Sequence, residues 1–581
     1  MRALRNGRPG MLPTGDATVD VGLGTTPARC VIRIVCGAFV TLSPSGHPYT
    51  TSIPGCSMRL RKCTTRLVTT ASTVALLAAA PPATAHGSPA RAEKILTAAP
   101  LATWQTNGIV WSVAYARGVV YVGGTFDSVR PPGAEPGQKE VARKNFAAFD
   151  AVTGKLLPCA HSFTEAEGTV RALKASPDGK VLYVGGSFGR VDKTGVASAV
   201  ALNTAKCSLR EDFRPAVGAT VRAIDTTKST VYLGGDFEAV NGETRNHIAA
   251  LSTKGSLLPF TADIDEPVRA VLAAPKYGKV LVGGDFHQVN GASEGSLVAL
   301  NPSTGSTVTS FRRWLPKYSS VKTLARDKTN FYVGAEGRGT GVFDGRIAGR
   351  LSDGKMVWKD YCQGATQAIL VHYGVLYSAS HAHNCVRTPG GFPDGRRRHF
   401  LVQSVSDRRI LHWFPDTDDG LGEAVGPRAL VMAKGILWAG GEFTTVNGKP
   451  QQGLTRFSAG PANTAPEATP ELTAKSSGDG KVTLAWQATW DRDDAELTYL
   501  IYRDGVRVAS LKKRSVDWNL PEMTYADSVT PGSRHRYTIA VTDGRNTTRR
   551  SKPLAATATA TATAAKRSTG EPWWVNPTST Q

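Results

Sequence analysis

The chain is predicted to be all-β: a seven-bladed β-propeller closed by an N-terminal strand, with a C-terminal β-sandwich behind it. Three features point there. An apolar strand recurs seven times, usually running into a glycine pair and an aromatic residue. From about residue 465 that motif stops, and short alternating strands replace it. Gly 60 and Pro 34 in 581 residues suit a turn-rich protein of more than one domain.

Taken in order, residues 1–57 carry no repeat and hold Cys30, Cys36 and Cys56. From Met58 a basic stretch (Arg59, Arg61, Lys62, Arg66) leads into an apolar run from Leu67 to Ala80, and then to Ala83-Thr84-Ala85. A basic start, a short apolar run and small residues make a secretory signal over 58–85, with cleavage expected after Ala85. The run is too short to cross a bilayer, so the mature chain is expected to carry no transmembrane segment. A signal starting at Met58 makes 1–57 an untranslated or disordered leader. The expected location is secreted or extracellular, with cell-wall association as one form of it.

Export alters the charge balance. Residues 1–85 hold nine of the 69 Lys/Arg and two of the 47 Asp/Glu, leaving a mature charge of +15 against +22 for the whole chain. Outside the cell a basic surface meets anionic cell-wall polymer, glycan or surface protein rather than nucleic acid. A solvated charged surface that aids solubility reads equally well. Cys159, Cys207, Cys362 and Cys385 remain, an even number that favours two disulfides with three connectivities open.

The repeats occupy roughly 100–458. They read VYVGGTF from Val120, LYVGGSF from Leu182, VYLGGDF from Val231, VLVGGDF from Val280, FYVGAEG from Phe331, LYSASHA from Leu376 and LWAGGEF from Leu437, about 45 to 62 residues apart. One such unit cannot bury its own apolar face, so the units must stack. The third copy predicts four antiparallel strands: VRAIDTT from Val221, TVYLGGDFEAV from Thr230, HIAALS from His247 and SLLPF from Ser256. Asn241-Gly242 is a hairpin turn signal, since both residues tolerate positive φ. The glycine pair suits places where a side chain would meet neighbouring backbone, and the following Phe suits packing between blades. The last copy lacks a fourth strand, and LATWQTN from Leu101 resembles fourth strands elsewhere, so it is expected to complete that blade.

The runs Gly234 to Gly242, Gly283 to Gly291 and Gly440 to Gly448 share the pattern GG-x-F-x-x-V-N-G. In them the chain resembles the delta-60 repeat, a propeller family of unknown function common in exported bacterial proteins, with an actinobacterial character here. The resemblance implies the propeller fold and no particular reaction. It also implies a bridge between Cys362 and Cys385 around the first two strands of the sixth blade, which leaves Cys159 and Cys207 to link the first two blades.

After a linker at 459–465, the segment 466–560 contains KVTLAWQATW, LTYLIYRDGVRVAS, TYADSV and HRYTIAVTDG. It resembles a fibronectin type III domain: Trp486 matches the tryptophan of the second strand, Tyr502 with Asp504-Gly505 the hairpin, and Tyr537 the late core tyrosine. The resemblance implies a module that spaces, orients or binds. Residues 561–581 are a Thr/Ala-rich tail with Trp573-Trp574.

The sixth copy departs from the rest, with Ser378-Ala379-Ser380-His381-Ala382-His383 followed by an insertion ending in Arg396, Arg397, Arg398 and His399. These residues, His381, His383 and 396–399, are the candidate ligand-binding set. His-x-His on a strand puts both rings on one face, where a metal would need a third ligand such as His399 or His412; packing is the simpler reading, and no metal or cofactor is expected. Asp416 to Gly420 and the group Asp491, Asp493, Asp494 read as solvated turns before calcium sites. No catalytic set assembles, and no G-x-S-x-G is present. The expectation is a monomeric exported binding protein whose propeller mouth holds the ligand. An extracellular carbohydrate-active enzyme and a scaffold for a partner protein are the alternatives.

Overall fold

The computed structural model describes residues 17–23, 26–32 and 95–559, apart from 338, 340, 394, 461 and 462. The signal segment, its Ala85 site and the Trp573-Trp574 tail lie outside the described residues. Two compact units are present, Met1–Pro89 and Ala90–Gln581. In the first, Ala17–Leu23 pairs antiparallel with Thr26–Ile32.

The second unit is all-β. Among its described residues the sole helical element is a 3-10 turn, Pro275–Tyr277. The seven repeat copies form seven antiparallel sheets of three or four strands. Their first strands are Ile109–Ala116, Thr169–Ala175, Val221–Thr226, Val268–Ala274, Ser319–Arg326, Thr366–His372 and Pro427–Ala433. Each of these lies beside the next, and Pro427–Ala433 lies beside Ile109–Ala116.

The glycine pair has two causes. A Cβ on Gly234 would sit 2.4 Å from Val268 Cγ1 of the following sheet, and one on Gly440 would sit 2.3 Å from Val110 Cγ1 of the first sheet. The second glycine faces its own sheet: a Cβ on Gly235 would lie 2.1 Å from the Thr220 carbonyl. Backbone proximity therefore explains only the second position; the first is set by a neighbouring side chain. The second residue after the pair, Phe126, Phe188, Phe237, Phe286 or Phe443, is buried in the core between sheets.

In the third copy the second strand ends at Gly235, earlier than the sequence pattern suggests. Ala239–Val240 and Glu243–Thr244 form a separate hairpin whose turn residues, Asn241 and Gly242, have φ of 53° and 83°. The expected fourth strand there is reduced to one bridge, Leu251 to Leu257. Outer strands have a single partner, so little holds them regular. At the last sheet, Thr97 N–H donates to Ser458 O and Leu101 N–H to Arg456 O. The chain then turns away, and Gln105–Thr106 pairs with Ser128–Arg130.

Residues 473–557 form two sheets packed on one core. Thr473–Ser477, Lys481–Gln487 and Glu522–Ser528 make one; Val506–Arg514, Glu496–Arg503, Arg534–Thr542 and Leu554–Thr557 make the other. Trp486, Tyr499 and Tyr537 are buried between them. Asp504 and Gly505, with φ of 50° and 87°, turn the hairpin between Glu496–Arg503 and Val506–Arg514. This region packs on the sixth sheet, where Trp490 and Trp518 meet a core containing Cys362, Cys385, Phe392 and Phe414.

Candidate functional site

A cavity of about 1180 Å³ runs between the seven first strands. That is ample for an extended small ligand. Its polar lining arises from one recurring backbone irregularity. In every first strand the pairing with the second skips one residue, a β-bulge. Bulges re-aim a side chain. The skipped residues are Trp111, Arg171, Arg222, Arg269, Lys322, Gln367 and Arg428, and all seven line the cavity.

Most of these side chains meet the residue that follows the glycine pair. Arg222 bonds Asp236 at 2.5 Å, Arg269 Nε bonds Asp285 at 2.7 Å, and Lys322 lies 3.5 Å from Glu336. Gln367 donates to Glu336 at 2.8 Å, and Arg428 lies 3.1 Å from both Glu442 and Glu423. Arg171 lies 3.9 Å from Glu167. Trp111 donates its indole N–H to Thr125 Oγ1, while the guanidinium carbons of Arg171 and Arg428 lie 3.9 and 4.3 Å from its ring centroid. Farther along the channel Lys174 pairs with Asp225 at 2.8 Å.

Burial lowers the pKa of Arg171, and the neighbouring positive charge of Arg222 adds to the effect. For Asp285 burial opposes ionisation, yet the bonds from Arg269 and Ser320 outweigh it, and its pKa is lowered. Five cations stand among six carboxylates, so the ring is close to neutral. Such a lattice offers fixed donors and acceptors side by side, with an aromatic ring among them. Carboxylates held by salt bridges suit accepting hydrogen bonds better than donating a proton.

The sequence-chosen residues lie elsewhere; none of them lines this cavity. His381 and His383 have ring centroids 6.3 Å apart. Burial, followed by the charge of Arg397, pushes His381 down to about 4. His399 is 4% exposed, with ring nitrogens 3.2 Å from Asp416 and 3.0 Å from Asp419. Burial opposes its charge, but those two carboxylates outweigh burial and raise its pKa. His412 Nε2 lies 2.8 Å from the Asp491 carbonyl. His399 and His412 thus have partners other than a His-x-His metal.

The arginine run is also absorbed. Arg396 lies 3.5 Å from Asp416, Arg397 2.8 Å from Asp419, and Arg398 2.8 Å from Asp517, with Phe392 and Trp518 beside the Arg398 guanidinium. These contacts fasten the insertion to the following loop and to the C-terminal region. The disulfides Cys159–Cys207 and Cys362–Cys385 are formed, with Cα separations of 5.5 and 4.0 Å. The channel ring did leave a sequence signal: V-R-A or P-R-A opens four of the seven copies, at Arg171, Arg222, Arg269 and Arg428.

The family described as "Domain of unknown function (DUF5122) beta-propeller" matches residues 278–311. No curated protein matches the chain. Among solved structures, one titled "Crystal Structure of Mitotic Checkpoint Complex" is similar at 14% identity and a TM-score of 0.39, over 65% of this chain and 98% of its own. Sqt1 of Saccharomyces cerevisiae is similar at 11% identity and a TM-score of 0.33, over 67% of this chain and 96% of its own.

Proposed function

We propose that this chain is an exported binding protein, a closed seven-bladed propeller whose channel takes a hydroxyl-rich ligand such as a glycan segment. The observation that carries the reading is the ring of bulge residues, in which five cations, Gln367 and Trp111 point into one cavity. A bare polyanion would have to displace the carboxylates already bound to those cations. A sugar can accept from the guanidinium groups and donate to the carboxylates at once. Closure of the ring is supported by the packing of Gly440 against Val110 and by the bonds from Thr97 and Leu101 to the last sheet. The two disulfides are compatible with an oxidising location. Among the described residues no helix is long and apolar enough to cross a membrane.

In this reading the C-terminal region is a fibronectin type III module that spaces the propeller or adds wall contact. A propeller is also a natural platform for a partner protein. Sedimentation of the protein with purified cell wall, before and after removal of its anionic polymers and across a salt series, tests the ligand class. A channel lattice predicts retention on the stripped wall and at high salt. Release with the polymers or with salt would instead make the contact a diffuse electrostatic one.

A further inference from the structure

Beyond the channel, one buried carboxylate lacks the compensation that its burial demands. Asp491 lies in the loop between Lys481–Gln487 and Glu496–Arg503 and is fully buried. Its Oδ1 accepts from Thr464 Oγ1 at 2.7 Å and from the N–H groups of Asp493 and Asp494 at 3.0 and 3.2 Å. Its Oδ2 is buried with no hydrogen-bond partner. A buried carboxylate in that state must either be met by a positive charge or take up a proton. The nearest arginine in sequence, Arg492, is turned to Glu467 at 2.6 Å. Burial, followed by the Asp493 carboxylate, raises the Asp491 pKa.

Asp493 and Asp494 complete the surroundings. One oxygen from each of the three carboxylates falls within 4.8 Å of the other two. Oxygens coordinating one calcium ion at about 2.4 Å span up to roughly that distance. All the donors are carboxylate oxygens on an irregular loop, a hard-ligand set that suits calcium better than a softer or strictly octahedral metal.

We infer that Asp491, Asp493 and Asp494 form a calcium site that fastens the C-terminal region to the propeller. Around the loop, Asp493 accepts from the Ala98 N–H at 2.6 Å and lies 2.6 Å from Thr464 Oγ1, whose single O–H it shares with Asp491, and Asp494 accepts from Asn463 Nδ2 at 2.7 Å. His412 holds the Asp491 carbonyl, and Phe414 N–H donates to Arg492 O at 2.8 Å. The site therefore joins three segments: the residues just before the propeller, the linker at 463–464, and the edge of the sixth sheet.

The test is calcium chloride added to the full chain after EDTA treatment, read by calorimetric titration and thermal unfolding, with magnesium chloride in parallel. Expected are one calcium per chain and a Tm rise of about 5 °C at one hundred times Kd, with a smaller magnesium response. Asp491→Asn should fold and lose the calcium-dependent rise. If that variant does not fold, Asp494→Asn, which is half-buried, should bind calcium about tenfold more weakly or worse. No response in the wild type up to about 10 mM calcium, beyond the range of weak extracellular sites, overturns the inference. So does a full calcium response in the folded variant, or an equal response to magnesium.

Discussion

Arg456→Met should loosen the junction at which the last repeat meets the start of the propeller. Arg456 is 3% exposed. Its Nε donates to Thr103 Oγ1 at 3.2 Å, and its Nη1 to Val152 O at 3.1 Å. Its Nη2 donates to Ala102 O and, at 3.4 Å, to Thr153 O. The guanidinium carbon also lies 4.9 Å from the centroid of Trp438. One side chain thus holds the N-terminal segment, the first sheet and the last sheet together. Hydrogen bonds to a charged group contribute about 1.5–3 kcal/mol each. Water can replace the lost donors at Ala102, Val152 and Thr153, which are exposed residues, whereas Thr103 is buried. Methionine fills much of the stem volume, so the net loss is about 2–4 kcal/mol. At roughly 2 °C per kcal/mol for a domain of this size, Tm should fall by about 4–8 °C. The assay is thermal unfolding by calorimetry, with Arg350→Met as the comparison. Arg350 is half exposed, pairs with Asp353 at 3.2 Å, and should cost about 0.5 kcal/mol or less. Equal Tm values for the two variants would refute the assignment of Arg456 as the junction's anchor.

The interlocking of glycine and valine predicts that Gly440→Ala costs about 1–3 kcal/mol in denaturant unfolding, and that Val110→Ala in the same chain restores most of it. Replacing Cys159 and Cys207, 48 residues apart, by serine should lower stability by up to about 4 kcal/mol, read as a reduced denaturant midpoint. His399, with its raised pKa, adds stability that is complete below the unfolded value near 6.5 and is lost as pH rises through the folded value. The wild-type Tm should therefore fall over that window, and His399→Gln should flatten the profile.

The repeat architecture was legible in the chain because the glycine pair and the buried phenylalanine answer local packing demands that every copy shares. The cysteine partners came with the family resemblance, since the residues alone left three connectivities open. Outer strands were less readable: SLLPF has the right pattern, but an edge with one neighbour leaves it a single bridge. The channel ring was missed despite its V-R-A signal, since a polar residue between apolar ones in a strand reads as solvent-facing under strict alternation. The bulge breaks that alternation and turns the side chain inward. The run Arg396 to His399 reads differently in the fold for the opposite reason. Its partners, Asp416, Asp419 and Asp517, come from other parts of the chain, so a sequence that looks like a free cationic patch is neutralised in the fold.

The most direct test compares two double variants on cell wall stripped of anionic polymers. Arg222→Gln with Arg269→Gln alters the channel, and Arg396→Gln with Arg397→Gln alters the insertion. The channel account predicts that the first pair weakens retention about tenfold or more, from the loss of charge-assisted bonds, while the second leaves it within about twofold. The reverse order, or wild-type retention by the channel pair, would contradict it.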